Sequence, residues 1–133
     1  SGLLAAMDPD EERHDVCRAV IEGERTPLVV SPFVLAELDY LVARKLGTEA
    51  ELAMLEDVAG GAYQLAPMDS GDVAAARTIV ERYRDLGIGL TDASLVVLAG
   101  KHGTVDILTL DERHFRAMST DKGEAFRLLP ADQ

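Results

Sequence analysis

An α/β fold is the class this sequence predicts, on three observations. Short β-branched or apolar runs fit strands near residues 28–30, 63–66, 107–110 and 126–129. Segments with helical caps and helical apolar spacing separate most of them. No repeat or internal linker interrupts the order. Such alternation points to strands packed with helices rather than to a helical bundle. At 133 residues the chain fits one compact domain, residues 1–133, with a substantial core.

The opening, SGLLAAMDPDEERH, passes from Ser1 and Gly2 straight into an apolar run, with no strand before it. Asp8 or Asp10 is the expected cap of a helix over 11–22, with Val16, Cys17, Ala19 and Val20 on its apolar side and Gly23 at its end. TPLVVS suits a buried strand and feeds the clearest helix of the chain, residues 31–45. There Ser31 can cap free N–H groups, and Pro32 has the φ suited to the first helical position. Val34, Leu35, Leu38, Leu41 and Val42 form one apolar stripe.

Past Gly47, Thr48 with Glu51 reads as a capping box for a helix whose apolar face is Leu52, Leu55 and Val58. Asp69 caps the next helix, which carries Val73, Ala76, Ile79, Val80 and Tyr83 inward. Its residues Arg77, Glu81 and Arg82, with Arg84 and Asp85, read as a mixed solvated face. In GLTDASLVVLA, Thr91 is the expected cap of a helix that is apolar nearly all round from Ala93 to Ala99, as suits burial between layers. VDILTL makes the next strand, a short helical turn follows Asp111, and FRLLP supplies the last strand.

Twenty-four acidic against 13 basic side chains give a net charge of −11, which argues against a protein that coats nucleic acid. The same excess suits an enzyme that concentrates carboxylates around a cation, or a chain with a basic protein partner. Cys17 is the sole cysteine, so an intramolecular disulfide and a cysteine metal knuckle are excluded; beside Val16 and Val20 it reads as a core thiol. His14, His102 and His114 lack the paired spacing of a zinc-binding helix and read as surface or packing residues. No apolar run approaches the roughly 18 residues of a membrane span, and no signal segment opens the chain. A soluble cytoplasmic protein without membrane contact is therefore expected.

Three carboxylates stand out by position. Glu37 lies in the 31–45 helix with Phe33, Val34, Tyr40 and Leu41 as its helical neighbours, a setting costly for a carboxylate without a partner. The plainer reading is a surface acid reaching Arg44. Asp92 stands at a helix start, where it can complement the helix dipole. Asp111 stands at the carboxyl end of a strand, where open parallel sheets gather functional groups, or serves only to cap the turn that follows. Converging at one sheet edge, the three would suit Mg²⁺ or Mn²⁺, which favour oxygen ligands.

The segments VSPFVLAELDYLV, GLTDASLVVLA and ILTLDERHF, in that order and at those separations, resemble the PIN-domain endoribonucleases, in particular the VapC toxins of bacterial toxin–antitoxin pairs. The resemblance spans nearly the whole chain. It implies a three-layer α/β/α sandwich around a parallel sheet, with acidic side chains coordinating one or two divalent cations. Glu37 in AELDYL, Asp92 in LTDAS and Asp111 in TLDERHF match the family's acidic positions, with metal ligation and catalysis as their implied role. Ser1 matches the serine or threonine that follows the family's first aspartate. That aspartate and the internal strand it ends would precede Ser1, so the expectation is a truncated form that lacks one ligand and the usual first strand.

The resemblance also implies the function. A growth-inhibiting, metal-dependent endoribonuclease toxin is expected, acting on tRNA or an exposed ribosomal RNA loop, neutralised by a cognate VapB-type antitoxin, and forming a homodimer. The alternative is a catalytically inactive PIN-like binding module, and the missing first aspartate is the feature that supports it. A phospho-accepting Asp111 is a third reading, and it lacks a clear partner lysine.

Overall fold

A computed structural model describes residues 2–133, so the match made for Ser1 lies outside the described residues. The chain forms two compact units, one running to Ala66 and the other covering Pro67–Gln133.

The first unit contains α1 (Gly2–Met7), α2 (His14–Glu22), β1 (Val29–Val30), α3 (Pro32–Leu46), α4 (Thr48–Ala59) and β2 (Gln64–Leu65). Its opening apolar run is thus a helix, with Gly2, Leu3 and Ala5 buried. Asp8 does not cap α2, whose N-cap is Arg13 with no side-chain cap bond. It is buried instead, accepts a hydrogen bond from the Asp10 N–H at 3.0 Å, and pairs with Lys45 Nζ at 3.2 Å. His14 Nδ1 lies 2.9 Å from the Ala5 carbonyl, fastening α2 to α1. Cys17 is fully buried, and that burial pushes its thiol up from the ordinary value, as expected of a core thiol.

Helix α3 begins as the sequence predicts. Ser31 Oγ accepts from the Phe33 and Val34 N–H groups at 3.1 and 3.4 Å, and Pro32 occupies the first turn. Leu38 and Val42 are its buried residues, and α1 and α4 both pack on it. Gly47, at φ 96, closes α3 in a conformation that L side chains rarely adopt and is at once the N-cap of α4. Two expectations for α4 therefore fail. Thr48 is its first residue rather than its cap, and Leu52 and Leu55 are exposed while Met54 is buried. With α4 starting at Gly47, its inward stripe is Ala50, Met54 and Val58 at four-residue spacing. Strands β1 and β2 pair in parallel, Val29 with Gln64 and Val30 with Leu65.

The second unit contains α5 (Ser70–Arg82), a 3₁₀ turn (Arg84–Leu86), α6 (Leu90–His102), β3 (Asp106–Leu108), α7 (Glu112–Ala117) and β4 (Arg127–Leu129). Asp69 caps α5 and forms a reciprocal capping box with Asp72. The predicted solvated face is exposed and laced with ion pairs from Glu81 to Arg77 and Arg84. Helix α6 starts one residue before the expected cap: Gly89 is the N-cap and Thr91 lies in the first turn. The core gathers Ala76, Ile79, Ile88, Ala93, Val96, Ile107, Phe115, Phe126 and Leu128. Phe115 of α7 meets Phe126 edge to face, with ring centroids 6.2 Å apart. Strands β3 and β4 pair in parallel from Asp106–Arg127 to Leu108–Leu129.

The α/β class with parallel pairing therefore holds, in two two-stranded ladders, each within its own unit. The first strand among the described residues is β1, after two helices. No helix among them is long and apolar enough to cross a membrane.

Candidate active site

Asp111 is set by the turn that leaves β3. The ladder runs one step past the strand, with the Thr109 N–H donating to the Leu129 carbonyl at 3.0 Å. Thr109 is buried, and its hydroxyl accepts from the Asp111 N–H at 3.0 Å and donates to the Asp111 carbonyl at 3.3 Å. One side chain thus fixes both backbone polar groups of Asp111. Asp111 is the N-cap residue of α7, yet its carboxylate makes no cap hydrogen bond. The exposed side chain has no ion-pair or hydrogen-bond partner among the described residues. The plainer reading, a carboxylate serving as a cap, is therefore not what the geometry shows.

Asp92 occupies the first turn of α6, where its charge complements the helix dipole. Its Oδ2 lies 2.8 Å from His114 Nδ1, and the two side chains are 28% and 16% exposed. An ionised carboxylate only accepts, so Nδ1 carries the proton in this contact. His114 is the third residue of α7, and Asp111 stands three positions before it, a spacing that puts both on one face of the first turn. The Asp92–His114 bond therefore brings the start of α6 and the start of α7 to one end of the second unit, with Asp111 beside them. Arg113, between Asp111 and His114 in sequence, is exposed and has no ion-pair or hydrogen-bond partner among the described residues.

His114 is the residue that sequence reasoning missed. A single histidine without a paired partner carries no zinc signal, and its link to Asp92 spans 22 positions. The available signal was its spacing from Asp111, one helical turn within DERH.

Glu37 lies in the first unit, on α3. It is exposed, without an ion-pair or hydrogen-bond partner among the described residues, so the burial cost argued from its apolar neighbours does not arise. Nor does it take Arg44, which donates to Tyr40 Oη at 2.6 Å and lies over the Tyr40 ring. Two positions on, Asp39 bonds Glu51 of α4, and that hydrogen bond pushes the Glu51 carboxyl above its usual value. Asp39 Oδ1 is buried with no hydrogen-bond partner among the described residues.

Among the described residues, no three His, Cys, Asp or Glu side chains form a ready-made metal cluster. The donor chemistry nevertheless fits a hard divalent cation. Mg²⁺ keeps several waters and needs only one or two carboxylates from the protein, and Mn²⁺ favours the same oxygen donors. In the second unit the Asp111 carboxylate and Oδ1 of Asp92 are oxygen donors of that kind, and these are the residues that would hold such a cation.

Comparison with known proteins gives these residues a context. Residues 1–120 match the PIN domain family. Ribonuclease VapC26 of Mycobacterium tuberculosis (strain ATCC 25618 / H37Rv) is 46% identical over 130 residues, covering 98% of this chain and 96% of that protein. The crystal structure of Mycobacterium tuberculosis VapC20, a sarcin-ricin loop cleaving toxin, superposes with a TM-score of 0.73 at 18% identity, over 80% of this chain and 82% of that one. VapC-type PIN ribonucleases are divalent-metal dependent, and the toxin family acts on RNA and pairs with VapB antitoxins. With the family model matching most of the chain and a VapC ribonuclease aligned across nearly all of it, this chain belongs to the PIN-domain family, as a ribonuclease of the VapC toxin type.

Proposed function

We propose that this chain, acting as a single PIN domain, uses Glu37, Asp92 and Asp111 to hold Mg²⁺ or Mn²⁺ and cleaves structured RNA, a tRNA or a ribosomal RNA loop, endonucleolytically. The observation that carries this reading is the Asp111 carboxylate, fixed through its backbone by Thr109, released from capping, and set in the same helical turn as the histidine that grips Asp92. When bound, the cation supplies Lewis acidity toward a phosphodiester oxygen and lowers the pKa of a water. The protein's own part is positional: in the second unit Asp92 and Asp111 would hold the cation and so fix where the scissile phosphate can sit. Arg113, unpaired on the first turn of α7, offers a guanidinium to an RNA phosphate in an otherwise acidic chain. The substrate of VapC20 supports the ribosomal loop as one of the two RNA classes.

The partners follow the same reading. A cognate VapB-type antitoxin neutralises the toxin in the cytoplasm, and the chain acts as a homodimer. The test of function is cleavage of total cellular RNA by purified protein with Mn²⁺. Discrete fragments are expected from the unaltered protein and none from Asp92→Asn, Asp111→Asn or Glu37→Gln. Folded protein that cuts no RNA, or cleavage that survives all three substitutions, would remove the reading.

A further inference from the structure

We propose that His114 is a positioning residue for the cation site: its Nδ1–H holds Oδ2 of Asp92 and leaves Oδ1 as the oxygen available to a divalent cation. The inference rests on the reading of Asp92 as a cation ligand. Its support is a chain of contacts within the second unit. The Thr109 hydroxyl fixes the Asp111 backbone where α7 begins, and Phe115, buried against Phe126, fixes the helix that carries His114. The first turn of α7, which carries His114, is therefore anchored at its start and by the neighbouring Phe115, and the imidazole meets Asp92 at 2.8 Å. Both partners are largely sheltered, at 16% and 28% exposure, so water competes little for the bond.

The consequence concerns freedom rather than charge. A carboxylate in the first turn of a helix can rotate about its terminal torsion and offer either oxygen, or both, to a cation. One hydrogen bond to a fixed donor removes that choice and lowers the entropy lost when the cation binds. Hydrogen bonds from outer residues to metal-binding carboxylates commonly account for roughly 10–100-fold in metal affinity.

The two amide side chains separate this role from a merely structural one. In His114→Asn the side-chain amide falls near the place of Nδ1, whereas in His114→Gln it falls near Nε2. Both are polar amides, and their difference in helix propensity at one position of a short helix is too small to account for a tenfold change in metal binding. The measurement is Mn²⁺ binding by the full chain, read from the loss of the free Mn²⁺ electron paramagnetic resonance signal. His114→Asn should bind Mn²⁺ within a few-fold of the unaltered protein, and His114→Gln roughly 10–100-fold more weakly. The thermal midpoints of the two variants without metal should agree. Equal Mn²⁺ affinity for the two variants, or tighter binding by His114→Gln, would overturn the positioning role while Asp92→Asn still abolishes binding. An unaltered protein that takes up no Mn²⁺ would overturn the cation reading of Asp92 and this inference with it.

Discussion

Thr109 holds Asp111 at both ends of its backbone unit, accepting from its N–H at 3.0 Å and donating to its carbonyl at 3.3 Å. A hydroxyl that does both cannot be replaced by an apolar isostere without leaving two polar groups to find new partners. Thr109→Val keeps the shape and removes both bonds. It should destabilise the protein by about 1–3 kcal/mol in denaturant titration. Loosening of the Asp111 backbone should also cut the cleavage rate by up to about 10²-fold. Unchanged stability and rate would mean that the turn is held by something else.

Lys45 Nζ lies 3.2 Å from Asp8 Oδ2, yet the two side chains are 52% and 4% exposed. The asymmetry decides which deletion costs more. Asp8→Asn leaves a lysine that water can solvate, and an amide that can still accept from the Asp10 N–H. Lys45→Met leaves an unpaired, sheltered carboxylate. Lys45→Met should therefore be the more destabilising, by about 1–3 kcal/mol, in equilibrium unfolding. The reverse order would contradict this account of how α1 is fastened to α3.

Asp132 closes the second unit near its carboxyl end. Arg116 holds the carboxylate with two bonds of 2.7 Å, the Leu128 N–H adds another, and together they bring its pKa down to about 2. The folded value lies below the unfolded one. The contribution to stability is therefore complete above about pH 4 and is lost as pH falls through about 2. Comparison of the unaltered protein with Asp132→Asn should show a stability gap at pH 5 that narrows steadily below pH 4. A gap independent of pH would exclude the ion pair as its source.

Arg113 should matter for RNA binding more than for chemistry. Arg113→Gln is expected to raise KM with little change in kcat, and to reduce the salt slope of RNA binding by about 0.7–0.9 if it contacts one phosphate. A loss confined to kcat would place Arg113 at the reacting atoms instead.

The parts of this fold visible in the sequence are those set by local chemistry. Ser31 and Pro32 mark the start of α3 because a hydroxyl and a fixed φ act within one turn, and Asp69 marks α5 because its side chain likewise reaches a backbone N–H within one turn. The starts of α4 and α6 were less legible, since Gly47 and Gly89 take the N-cap by backbone conformation, without a side-chain signal. Helix α1 carries no acidic residue in its first turn and no basic one in its last, so its apolar run did not declare a helix. In the candidate site, Asp92 and Asp111 were legible from the elements they begin or end. The exposure of Glu37 was not, because helical neighbours fix spacing and not what packs on them. The contact of Asp92 with His114 is tertiary, and no local pattern encodes it.

The most direct test of the central claim is a crystal structure of the protein soaked with Mn²⁺, read in an anomalous difference map. The account predicts a peak bound by Asp111 and by Oδ1 of Asp92, with His114 Nδ1 still on Oδ2. A Mn²⁺ peak away from these carboxylates, or none in a crystal whose RNA cleavage depends on Mn²⁺, would contradict it.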